Sequence, residues 1–86
     1  MTGADLFQAD LTEANLTETI LTWSNMTEAN VGGANLTGAS LTEANLTEAD
    51  LTGANLTKVN LKDAILTGAK LTDVIGADLT GALTDS

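Results

Sequence analysis

A five-residue period runs through this chain, and it fits neither a helix nor a flat strand. From Ala4 to Asp73 the sequence divides into fourteen in-register pentamers, beginning Ala4-Asp5-Leu6-Phe7-Gln8 and Ala9-Asp10-Leu11-Thr12-Glu13. On a helix, five residues advance about 500°, so successive leucines drift around the cylinder and leave no apolar stripe. On a strand, side chains alternate with period two, so each leucine flips faces relative to the last. The period works when the chain turns a corner once per pentamer, always in the same sense. Every central residue then points to one axis, and four sides close a square of twenty residues. Seventy residues make three and a half such coils, each pairing its backbone with the coils above and below. At a spacing of ~4.8 Å the column is roughly 17 Å tall.

The axis is filled by Leu6, Leu11, Leu16, Leu21, Met26, Val31, Leu36, Leu41, Leu46, Leu51, Leu56, Leu61, Leu66 and Leu71. The first position, Ala in eleven pentamers, also points inward, near a corner where little room remains. The other three positions point out. Thr follows the central residue eleven times, and Asn or Asp precedes it ten times. Thr suits stacked, extended backbone, and Asn and Asp bond their own backbone at turns. Stacking by twenty residues sets Asn15, Asn35 and Asn55 in one outer column, placed for an amide ladder.

The motif Ala-(Asp/Asn)-Leu-X-X resembles that of the pentapeptide-repeat proteins, and it covers residues 4–73. The resemblance implies a right-handed quadrilateral parallel β-helix, an all-β solenoid, here of three and a half to four coils. The run from Leu41 to Asn55 is similar to small cyanobacterial members with no assigned activity. Some members of that family resemble B-form DNA in shape and charge and act on DNA gyrase, inhibiting it or protecting it from quinolones. This chain shares their repeat and negative charge. It lacks their length, a helical C-terminal dimerisation segment and loop insertions between coils.

Composition narrows the function. At 86 residues the chain is one domain. It contains no His and no Cys, so the usual nucleophile–base pairs, disulfides and thiol chemistry are absent. Carboxylates on convex, wet faces have no pocket to tune them, and no calcium-loop motif occurs. The sequence therefore indicates no enzyme, no cofactor and no metal site. The absence of Pro suits a backbone that donates ladder bonds at most positions. No apolar run reaches membrane-spanning length and no signal peptide precedes the repeats, which makes a cytoplasmic location the default.

The net charge is −9, unevenly placed. Residues 1–57 hold eight acids and no base, whereas residues 58–86 hold four acids and all three lysines, Lys58, Lys62 and Lys70. Direct nucleic-acid binding is disfavoured, because there is no basic footprint. A protein partner with a basic surface fits better. Stacking also sets Glu28 beside Glu48 and Glu43 beside Asp63. At ~5 Å such pairs repel by about 1 kcal/mol in water, less with salt. They read either as an acidic face imitating a phosphate backbone or, preferably, as a solvated acidic side.

Three departures from the repeat share one end. Ile20 and Trp23 occupy outward positions on one side of the first coil, and Phe7 lies on the adjoining side. They form a candidate partner patch, since Trp is favoured at binding hot spots. Scattered exposed apolar residues are the plainer alternative. Gly32, Gly33, Gly38 and Gly53 read as neutral substitutions on a smooth surface. The N-terminal lead-in, residues 1–3, is too short to cap a coil, so the open end should pair with a second copy or dock on something else. Residues 74–86 break the register at Val74-Ile75-Gly76 and resume at Ala77 two residues early. They form either a cap, with Val74, Ile75, Leu79 and Leu83 over the last coil, or one more side after a local deletion. The expected function is a non-catalytic protein-interaction or scaffold module. The alternatives are a gyrase-directed DNA mimic and a self-assembling rod.

Overall fold

A computed structural model describes residues 2–84, and its register is set by parallel bridges between residues twenty apart. Asp5 pairs with Asn25, Asn25 with Asn45 and Asn45 with Ile65; Asn15, Asn35, Asn55 and Ile75 pair in the same way on another side of the square. The bridges fall on the residue before each central one. No longer strand forms among the described residues, because each five-residue side gives two residues to its turn.

The hydrogen bonding repeats with the sequence. The central amide donates to the carbonyl nineteen residues on, as Leu46 does to Ile65 at 2.8 Å, and so does the amide two residues later, as Glu48 does to Thr67. The bridge residue donates downward, as Asn45 does to Ser24. The first-position amide closes the turn, as Ala49 does onto the Leu46 carbonyl at 3.0 Å. The remaining amide, after the central residue, donates to the Asn or Asp side chain two residues before it. Thr47 gives both its amide (3.0 Å) and its hydroxyl (2.6 Å) to Asn45 Oδ1. One pentamer thus satisfies all five of its own amides, which is why Asn or Asp recurs. The Oδ1 atoms of Asn15, Asn35 and Asn55 accept from their own turns, at Thr17, Thr37 and Thr57. The expected amide ladder between coils is replaced by local capping, because the turn amide is nearer than the neighbouring coil's side chain.

Burial follows the inward positions. The central residues from Leu21 to Leu66 and the alanines between them are almost wholly buried. Leu6, Leu11, Leu16 and Leu71 are only half-covered, because they belong to the end coils. Gly3 already joins the ladder through Thr22, so the first coil begins there without a cap among the described residues. Ser24 takes an alanine position and is 1% exposed, and its Oγ has no hydrogen-bond partner. Stranding a hydroxyl costs about 1–3 kcal/mol. Ser24→Ala is expected to raise stability by roughly 1 kcal/mol; an unchanged or lower urea midpoint would mean the hydroxyl is satisfied.

At the C-terminal end the bridges follow the deletion reading. Ile75 still pairs with Asn55, twenty residues away, but Leu83 pairs with Ile65, eighteen away. Two residues are therefore missing from the last side. Ile75 and Leu83 remain 56% and 57% exposed, so they do not lie over the last coil; their bridge positions point outward. Asp85 and Ser86, like Met1, lie outside the described residues. No helix long and apolar enough to cross a membrane occurs among the described residues.

Candidate functional site

The turns decide which side chains stand out. The third residue of each four-residue turn has a positive φ: Gln8, Glu13, Trp23 and Glu43 lie between 58° and 65°, and Gly33 and Gly38 at 67° and 72°. This is the left-handed region, which costs an L-residue about 1–2 kcal/mol and glycine almost nothing. Gly33 and Gly38 therefore relieve strain and are not neutral replacements. A Cβ built on Gly33 would also sit 3.2 Å from Glu13 Cγ of the coil below. The sequence signal was present: glycine recurs at the fifth position of the pentamer.

Glu28 and Glu48 share one of these turn columns, and Glu43 and Asp63 share another. Gln8 Nε2 donates to Glu28 Oε1 at 3.1 Å, so one member of the acidic column is tied to the coil below. The aspartates that precede a central leucine are absorbed by their own turns. Asp10, Asp50 and Asp78 are held below the usual carboxylate range, first by the hydroxyls of Thr12, Thr52 and Thr80 and then by the amides of the same residues. No cluster of acids that could hold a metal ion occurs among the described residues.

The N-terminal departures are outward and bare. Phe7 is 50% exposed, Ile20 56% and Trp23 61%. Ile20 takes a bridge position, pairing with Ser40. It offers Thr22 no side-chain acceptor, and the Thr22 hydroxyl bonds Ser40 Oγ at 3.1 Å instead. Trp23 carries the bulkiest side chain at any of the positive-φ turn positions, at 65°. Both residues thus forgo local stabilisation that the repeat offers. Phe7 lies on another side of the square and keeps its own cap, its amide donating to Asp5 Oδ1.

A second feature was missed by sequence reasoning. Above residues 58–62 the wall is notched, because the side from Ile75 to Gly81 is two residues short. The resulting cavity of about 510 Å³ is lined by Lys58, Val59, Leu61 and Lys62 on one side and by Asp78, Thr80 and Gly81 on the other. The early return of the repeat at Ala77 was its signal.

Comparison with known proteins places this geometry. The family model of pentapeptide repeats matches residues 4–42, 34–73 and 44–83, with eight copies. A pentapeptide repeat protein from the Arabidopsis thaliana thylakoid lumen is 34% identical; the match covers 94% of this chain and 54% of that one, with a TM-score of 0.51. The pentapeptide repeat protein Rfr23 from the cyanobacterium Cyanothece 51142 is 37% identical over 98% of this chain and 58% of its own, with a TM-score of 0.47. QnrB1, a plasmid-mediated fluoroquinolone resistance protein, is 24% identical over 99% of this chain and 47% of its own, with a TM-score of 0.48. The chain thus spans about half the length of these solved structures. No curated protein matches it.

Proposed function

The chain belongs to the pentapeptide-repeat family, and on that premise we propose that it is a non-catalytic protein-binding module that docks through its N-terminal end. The reading takes the coil as right-handed, as in the family, wound three and a half to four times. What supports it most is the pair Ile20 and Trp23. They are more than half exposed, on one side, beside the half-covered leucines of the open first coil. A large ring at a left-handed turn and an isoleucine in place of a capping Asn both cost local stability. Residues that work against the fold at one exposed place are what a contact surface retains. Glu43 and Asp63, which continue the turn column of Trp23, and Glu28 and Glu48 on the adjoining side suit a partner whose rim is basic.

The experiment is the variant Phe7→Thr/Ile20→Asn/Trp23→Asn, used with the parent chain as bait in the source cell's lysate after crosslinking. The Ile20→Asn change restores the missing acceptor for Thr22, and Asn tolerates the left-handed turn that Trp23 occupies. The variant should fold with equal or higher stability and lose the crosslinked partner that the parent captures. Equal capture by both baits would remove the patch from the account.

The gyrase-directed reading is less well supported. The molecule measures 24 × 23 × 20 Å, and its longest extent spans only about seven base-pair steps at ~3.4 Å each. The acidic columns are also broken, since Glu13 is followed upward by Gly33 and Gly53.

A further inference from the structure

We propose that the notch above residues 58–62 is a docking site for an extended acidic peptide segment of a partner protein, which adds its backbone to the open ladder there. The argument starts from what the missing two residues leave undone. In a complete side, the central amide and the amide two residues after it donate upward, and the first-position carbonyl accepts from above. Here Leu56 still donates to Ile75, and Asp63 to Gly81. Between them the amides of Lys58 and Leu61 make no backbone hydrogen bond, and the Val59 carbonyl accepts none, among the described residues. The edge therefore presents donor, acceptor and donor in that order, along a wall whose other amides are paired: Asn60 donates to Ala39 and Val59 to Leu56.

That alternation selects the occupant. A simple anion would meet the two amides but also the Val59 carbonyl, which repels it. An extended peptide offers carbonyl, amide and carbonyl in the matching order, as in strand addition to a sheet edge. Charge selects the peptide's composition. Lys58 and Lys62, two of the three cations in a chain of net charge −9, flank the edge. Asp78, on the far side, stays ionised while it accepts from the amide and hydroxyl of its own Thr80, so the two lysines outweigh it by one charge. Apolar contact comes from Val59 and Leu61, and the cavity of about 510 Å³ falls within the usual range for ligand sites. The notch lies at the opposite end of the column from Trp23, so this site stands or falls independently of the N-terminal patch.

The test is a titration of the ¹⁵N-labelled full chain with acetyl-Glu-Val-Glu-Val-Glu-amide. The amide signals of Lys58 and Leu61 are expected to shift and saturate, with binding weakened at least tenfold in Lys58→Ser/Lys62→Ser. The unchanged spectrum of residues 21–56 checks that this variant is folded. A Lys-Val counterpart should not bind, and the acidic peptide N-methylated at its three internal residues should lose binding, because whichever of their amides faces the Val59 carbonyl can then no longer donate. The proposal is overturned if no saturating shift appears at Lys58 and Leu61 up to millimolar peptide. Retained binding of the N-methylated peptide would also overturn it. So would equal shifts with inorganic phosphate, which would assign a simple anion site. Shifts at these two amides on concentrating the protein alone would assign the notch to a second copy instead.

Discussion

Leu46→Ala is expected to destabilise the chain by about 3–5 kcal/mol, enough to use up most of the stability of a domain this small. Leu46 is completely buried, and it stacks on the axis between Met26 below and Leu66 above, one coil away in each direction. The loss combines the transfer free energy of the deleted atoms with a cavity that the ladder holds open, because bonded coils cannot collapse inward. Whole domains are stable by only about 5–15 kcal/mol, and small ones lie at the lower end. The same substitution at Leu6 is expected to cost less than half as much, since Leu6 lies half-covered in the open first coil. Urea denaturation of both variants measures the difference. Equal losses at the two sites would contradict a core that deepens away from the ends.

Asn45→Pro has the second largest expected effect. It removes three hydrogen bonds at once: the ladder bond from the Asn45 amide to Ser24, and the bonds that Oδ1 receives from the Thr47 amide and hydroxyl. At about 1 kcal/mol for each, with added strain where the ring meets a paired backbone, the cost is roughly 3 kcal/mol or more. Asn45→Ala removes only the two side-chain bonds and leaves the ladder, so roughly 1–2 kcal/mol is expected. The gap between the two variants reports the ladder bond between coils directly. If proline and alanine cost the same, Asn45 does not donate to the coil below.

Much of this architecture was legible because five is incommensurate with both regular periods. The central leucines, the inward alanines and the twenty-residue stacking all follow from that arithmetic and from volume. The turns were less legible. Gly33 and Gly38 looked like neutral losses of side chain until their positive φ gave them a conformational reason. The Asn column looked like a ladder between coils, yet each Oδ1 caps its own turn, because a contact two residues away along the chain wins over one twenty away. The C-terminal break was visible as two missing residues. Its consequence was not, because the gap opens above Lys58 and Leu61, almost a full coil earlier in the sequence. Trp23 and Ile20 were visible as departures. No partner could be read from them, since a contact surface, as proposed here, records only half of an interface.

The most direct test of the account is a nuclear Overhauser spectrum of the labelled chain in solution. Backbone cross-peaks should join residues twenty apart, such as Asn25 with Asn45 and Asn45 with Ile65, with one exception at eighteen, Ile65 with Leu83. A spectrum dominated by contacts three and four residues apart, or by pairings at any spacing other than twenty, would contradict the four-sided coil and everything placed on it.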